Sequence, residues 1–292
     1  MNGLHASAPP GRLRFRLVWD RLMVVTCGLA LVAAIVPLVW VLWDVVVSGV
    51  PHLSLEFLRS LPRPPTVGGG GWANAIVGTV IVVGLAVIMG VPIGVGTGIY
   101  LSEYGDNLLG RSARFLSEVM AGLPSIVAGI VAYGLIVVTM GRFSALSGGV
   151  ALALLFIPVV AITTQEALQL VPRDQREASF ALGMAEAPTT LRVVLPAAMG
   201  NVLTGIMIAM ARIAGETAPL LFTAFNSRFW IEGLDRPTAT IPVNIYNYAI
   251  SPFPHWHDQA WAGAFLLLAM VLVTNVAART LWARRARFMA GR

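Results

Sequence analysis

The sequence predicts an all-α membrane protein of six transmembrane helices with both termini in the cytoplasm. Three observations carry that expectation. Of 292 residues, 57% are hydrophobic and only 12% are charged, about half the charge of an ordinary soluble domain. The apolar residues gather into runs of about 20 or more, the length needed to cross a hydrocarbon core. The arginines, in turn, are unevenly divided between the loops on the two sides.

The first run, Leu22–Val47, is too long for the apolar core of a signal peptide. No small-residue cleavage site follows between Asp44 and Pro51, so it is expected to be retained as a span. The remaining runs are Ala73–Tyr100, Phe115–Met140, Leu146–Leu170, Ala197–Phe225 and Gln259–Leu281. Gly84, Ala86, Gly90, Gly94 and Gly96 recur through span two and predict close helix crossings. Leu123-Pro124-Ser125 breaks span three, either as a packing kink or to set the Ser125 hydroxyl on a path through the protein. The domain plan is then an Arg-rich tail (1–21), a permeating domain (22–281) with a polar loop at 172–196, and a basic tail (282–292).

All 20 basic residues are arginine. With the N-terminus inside, fourteen lie in the N-terminal tail, the loop before span three, the 172–196 loop and the C-terminal tail. Five lie opposite: Arg59, Arg63, Arg142, Arg228 and Arg236. This asymmetry sets both termini and the 172–196 loop in the cytoplasm. It also explains the net charge of +6 without nucleic acid, because no basic run is interleaved with aromatics in a soluble domain.

Other chemistry is excluded by what is missing. Cys27 stands alone, so no internal disulfide can form. Gly68 to Gly71 suggest a phosphate loop, but that motif needs a lysine and the chain has none. Nucleotide chemistry must therefore come from another polypeptide, and no cofactor is expected in this one. His255-Trp256-His257-Asp258 has ligand-like composition, yet its alternate spacing on a loop fits an ordinary interfacial segment and no metal site is expected. No nucleophile–base motif points to an enzyme.

Charge inside a span costs a few kcal/mol or more unless compensated. Span five contains Arg212-Ile213-Ala214-Gly215-Glu216-Thr217-Ala218-Pro219. On a continuous helix Arg212 and Glu216, at i and i+4, share a face and can pair. Two readings stay open. The pair ties packed helices together, or Arg212 lines a route for an anion while Glu216 fixes its rotamer and moderates its grip.

The polar insert Glu177–Pro196 is the other informative stretch. Glu177-Ala178-Ser179, three residues, Gly183, nine residues, Val193, one residue, Leu195-Pro196 resembles the EAA loop of ABC importer permeases, which reads E-A-A-x3-G-x9-I-x-L-P. Ser179 replaces the second Ala and Val193 the Ile. The resemblance implies a type I, MetI-like permease fold and a short coupling helix seated in a cleft of an ATPase. Ala178, Ala181 and Leu182 would supply apolar contacts, Gly183 the turn, and Pro196 the start of the next span.

From about Ala73 to Leu281 the chain is similar to phosphate-specific permeases of the PstA type. The similarity runs through Gly122-Leu123-Pro124-Ser125-Ile126-Val127-Ala128-Gly129 and the Arg212–Pro219 string, then through Ile241-Pro242-Val243-Asn244-Ile245-Tyr246-Asn247. It implies phosphate passage by Arg212, with Glu216, Thr217 and Ser125 on the same path. It implies a bacterial inner-membrane complex with a PstC-type second permease, a PstB-type ATPase homodimer that binds the ATP, and a PstS-type phosphate-binding protein. Permeases for sulfate, molybdate or phosphonate, or an ATP-independent carrier or channel, are the competing readings.

Overall fold

The computed structural model describes residues 10–290, with side chains from Phe15 to Thr280 and at Trp282. The outermost parts of the two expected tails, 1–9 and 291–292, lie outside the described residues. Two units are distinguished, residues 1–48 and 49–292. The first is essentially one helix, α1 (Pro10–Gly49), with Pro37 inside it. The expected tail residues from Pro10 onward are thus continuous with the first span.

The second unit contains α2 (Leu55–Arg59), α3 (Ala73–Tyr104), α4 (Leu108–Gly122), α5 (Ser125–Met140) and α6 (Ala145–Gln169). It continues with α7 (Arg173–Ala181), α8 (Glu186–Ala214), α9 (Ala218–Leu221), α10 (Ile241–Ala249) and α11 (Pro254–Ala290). Among the described residues there is no strand. α1, α3, α6, α8 and α11 are long and apolar enough to cross a membrane, and the bent pair α4–α5 brings the total to six if it counts as one span.

That pair corrects the expected third span. Phe115–Met140 is not a kinked rod: its first third lies in α4, which meets α5 at 108°. The cause is local. A residue before proline is pushed out of helical conformation, and Leu123 (ψ 140°) and Pro124 (ψ 132°) are both extended. Two successive extended residues make a corner, whereas one missing hydrogen bond would make a kink.

α6 is the most enclosed span and packs against α3, α4, α5 and α8. Its closest neighbour is α3, and small residues make the approach possible. Gly90, Gly94 and Gly98 form a stripe along α3 facing Phe156, Val160 and Thr164 of α6. A Cβ on Gly94 would sit 2.8 Å from the Val160 Cβ, and one on Gly98 would sit 2.5 Å from the Thr164 Cβ. The tight crossing expected of span two is therefore made at Gly90 and Gly94 and extended by Gly98, at every fourth residue, whereas Gly84 and Gly96 face open space.

The N-terminus of α6 is closed by protein groups. Ser144 and Ser147 form a reciprocal capping box. The backbone N–H groups of Ser144, Ala145 and Leu146 donate to the carbonyls of Thr223, Arg236 and Leu234 at 3.1, 3.1 and 3.0 Å. Orphan donors at a helix start need such partners in an apolar surrounding. The 223–236 segment is thereby fixed to one end of α6, and the 172–196 loop leaves from the other.

Three apolar clusters follow this axis. The central one joins Val82, Leu152, Phe156, Val160, Ile213 and Leu220. Beneath the 172–196 loop, Leu168, Val171, Val194, Ala198 and Val202 form the second. At the opposite end Phe57, Trp72, Ile241 and Tyr248 form the third, where Trp72 meets Tyr248 edge-on and Tyr248 stacks on Trp256 with ring centres 4.3 Å apart.

Candidate functional site

The 172–196 loop is built around α7. Pro172, extended, precedes the helix and cannot continue α6. The helix closes in a Schellman motif: the N–H of Gly183 donates to Phe180 O at 2.9 Å and that of Met184 to Ser179 O at 3.2 Å. Gly183 has φ +82° with open space around its missing Cβ. Its role is conformational, as the spacing predicted, because the left-handed turn disfavours any side chain.

Ser179 points inward. It is buried, and its hydroxyl lies 2.9 Å from Thr189 Oγ1 and 3.2 Å from Met184 Sδ. The hydroxyl that distinguishes it from alanine clasps the two sides of the loop and is not offered to a partner. Glu177 and Ala178 are exposed, and so are two larger apolar side chains, Phe180 and Leu182, the latter 84% exposed. Phe180 was not singled out from sequence, although a phenyl ring in a polar nine-residue helix is itself a signal.

A second residue missed in the sequence is Arg176. Its Nη1 donates to both carboxylate oxygens of Glu103 at 2.8 Å, and its Nη2 donates to Leu168 O at 3.1 Å. The pair is about four-fifths buried on each side. One guanidinium therefore ties α7 to the last turns of both α3 and α6. The partners are 73 residues apart, and no local pattern announces them.

Pro196 stands in the first turn of the regular α-helical part of α8, Leu195–Ala214, as expected, but the helix is already running there: α8 begins ten residues earlier, at Glu186. A proline ring collides with the carbonyl one turn back in a regular helix. Here the turn Thr190–Val194 is a π turn, with the Leu195 N–H donating to Thr190 O, which gives that ring room. Leu195 is half-buried against the cluster under the loop.

Arg212 lies in the last turn of α8 and is exposed. The helix stops at Ala214, where the N–H groups of Gly215 and Glu216 bond back to Arg212 O and Ile213 O, both at 3.2 Å. Glu216 thus lies beyond the helix, and the i,i+4 pairing expected on a continuous helix is not formed. Among the described residues neither Arg212 nor Glu216 has an oppositely charged group within ion-pair distance. Thr217 occupies the N-cap position of the short α9 without a side-chain capping bond, and Pro219 sits in its first turn. The expected fifth span to Phe225 is therefore interrupted at Gly215–Thr217.

α9 packs on α5 through Gly129, where an added Cβ would lie 2.6 Å from the Pro219 Cα. Ser125, half-buried, is one turn from Gly129 on the same face of α5. The break at Pro124 and the break at Gly215 are thus brought into one neighbourhood. An apolar groove of about 260 Å³ between α3, α8 and α11 includes Ala211 and Ala214 but not Arg212. Among the described residues no cluster of His, Cys, Asp or Glu is arranged for a metal ion.

Residues 90–287 match the family described as the binding-protein-dependent transport system inner membrane component. The phosphate transport system permease protein PstA of Yersinia pestis is 43% identical over 249 residues, 85% of this chain and 84% of that one. PstA of Haemophilus influenzae is 41% identical over 273 residues, 92% of this chain and 95% of the other. Among solved structures, an amino acid ABC transporter aligns with a TM-score of 0.58 at 20% identity, covering 73% of this chain and 93% of its own. The inward-facing MetNI methionine ABC transporter aligns with a TM-score of 0.58 at 16% identity, covering 77% and 98%. These structural likenesses speak for the fold.

Proposed function

We infer how this chain works from the premise that it belongs to the binding-protein-dependent transport system inner membrane components, as a phosphate permease of the PstA type. It is a multi-pass membrane subunit of a phosphate ABC importer, assembled with other subunits, and is not itself an enzyme. The observation that carries this is identity above 40% with phosphate permeases over most of both chains.

The finer assignments are our proposal. The neighbours are a PstC-type permease, a PstB-type ATPase homodimer that holds the ATP, and a PstS-type protein that delivers phosphate. The arginine asymmetry supports a cytoplasmic 172–196 loop and cytoplasmic termini. The ATPase grips the exposed face of α7, with Glu177, Ala178, Phe180 and Leu182 as contacts. Ser179, Gly183, Leu195 and Pro196 shape the loop from within. Closure of the ATPase dimer pushes α7, and the Arg176–Glu103 pair and the continuous α8 carry that push into the spans.

Phosphate then crosses beside Arg212. Its guanidinium offers paired donors to a tetrahedral oxyanion, and its exposure on the isolated subunit supports a path completed by a second permease. Ser125 and Thr217 add hydroxyls near the two helix breaks. Glu216, off the helix face, moderates the field without locking the arginine. ATP-dependent phosphate uptake by the complex reconstituted in proteoliposomes tests this reading. Uptake that persisted without ATPase or binding protein would favour a carrier or channel, and equal uptake of sulfate would remove the phosphate assignment.

A further inference from the structure

At the end of the second unit opposite the 172–196 loop, a pocket of about 150 Å³ opens beside the 226–228 turn. At roughly 30 Å³ per water in the liquid, that is room for about five waters, or for one small tetrahedral anion. Its polar wall is Asn226, Ser227, Arg228, Asn244, Asn247 and Tyr248, with no carboxylate. We propose that this pocket is an oxyanion site at the mouth of the permease, receiving phosphate before it reaches Arg212.

The position of Arg228 is built. Asn74, fully buried in the first turn of α3, donates through Nδ2 to the carbonyls of Ser227 at 2.7 Å and Phe229 at 3.3 Å. These residues flank Arg228, so a span holds the turn on both sides of it. Among the described residues Arg228 has no carboxylate within ion-pair distance, and its donors remain for a ligand. Asn244 is the second, independent observation. It is 2% exposed and lines the pocket, and among the described residues its carboxamide forms no side-chain hydrogen bond and is not wholly enclosed, so it opens to the pocket. Both its donor and its acceptor are available to whatever enters.

The donor set selects the ligand class. Arginine only donates, whereas a carboxamide and a phenol both donate and accept. Burial pushes the Tyr248 phenol up, against the pull of the nearby Arg228 charge, so it stays protonated. Phosphate near neutral pH carries a proton that needs an acceptor, which Asn244, Asn247 or Tyr248 can supply. Sulfate carries none and is held only with all of these groups turned to donate, so it is expected to bind less tightly. One cation among neutral groups suits a ligand that must be captured and then released.

The inference rests on the phosphate reading above, and its test separates the two. Binding of inorganic phosphate to the purified permease–ATPase complex, without binding protein, is measured by calorimetry for the wild type, Arg228→Gln, Asn244→Asp and Arg212→Ala. The expected result is saturable binding, weakened about tenfold or more by Arg228→Gln and by Asn244→Asp, retained in Arg212→Ala, and weaker for sulfate. Asn247→Leu, milder at a half-buried position, should weaken it less and guards against misfolding of the Asn244 variant. Unchanged binding in Arg228→Gln and Asn247→Leu would overturn the site. Loss of binding in Arg212→Ala alone would also overturn it, by assigning the phosphate to the spans. Capture of the binding protein is read separately by co-purification: if Arg228→Gln lost only that, the pocket would be a protein contact and the site would again be wrong. ATP-driven phosphate uptake by the wild-type complex, run in parallel, tests the function itself.

Discussion

At its N-terminal end α8 follows a loop whose shape is tied by its own polar groups: the Schellman bonds at Gly183, the Ser179–Thr189 clasp, and the Arg176 fork on Glu103 and Leu168. At its C-terminal end the same helix stops at Gly215 with Arg212 and Glu216 exposed or half-exposed and without ion partners among the described residues. The first end turns two large apolar side chains outward, Phe180 and Leu182, among solvated charges such as Glu177. The second leaves a charge unspent. A satisfied end resists deformation and can transmit a push, whereas an end with free donors can hold a passing ligand.

The comparison breaks most sharply at Arg212. Arg212→Ala should reduce ATP-driven phosphate uptake by two or more orders of magnitude while the subunits still co-purify, since among the described residues no ion pair or side-chain hydrogen bond is lost. Normal uptake would mean that the exposed end carries no cargo. At the other end, Gly183→Val places a β-branched side chain at φ +82°, a conformation costing about 1–2 kcal/mol or more. The expected consequence is futile hydrolysis, read as ATP consumed per phosphate moved. A wild-type ratio would show that the turn does not couple.

Arg176→Ala strands a carboxylate that is four-fifths buried. It should destabilise the loop by about 1.5–3 kcal/mol, the range for hydrogen bonds to charged groups, and raise the same ratio less than the glycine change does. Paired with Glu103→Gln in a double-mutant cycle, the losses should be less than additive; simple additivity would dissolve the tie. Ser179→Ala is the mildest. Losing one clasp should cost about 1 kcal/mol, seen as a small drop in melting temperature with uptake retained. A severe transport defect there would instead place the hydroxyl at the partner surface.

The spans were legible because hydropathy needs only composition over about 20 residues. So was the Gly90–Gly94 stripe, since small residues at helical spacing have few other uses in lipid. The two helix breaks were misjudged for different reasons. Pro124 signalled an interruption, but its angle depends on where α5 docks, and Gly129 meeting Pro219 is a contact 90 residues away in the chain. At Gly215 the signal was present: a glycine stop followed by Thr217 and Pro219 reads as one helix ending and another starting. The i,i+4 spacing of Arg212 and Glu216 is a competing signal over the same residues and points to a continuous helix. Arg176–Glu103 had no signal, because a pair between distant segments is invisible in a single sequence.

The π turn at Thr190–Val194 decides where α8 tolerates a change of length. Its hydrogen bond spans five residues where an α bond spans four, so the extra residue is taken up locally. Deleting one residue inside it would restore a regular helix and leave Arg212 close to its present face. Deleting one between Leu195 and Arg212, where each residue advances the helix by about 100°, would swing Arg212 more than a quarter-turn onto a different neighbour. The stretch from Pro196 to Arg212 is therefore an angle written as a length, and the interval after Gly183 is where that length has slack.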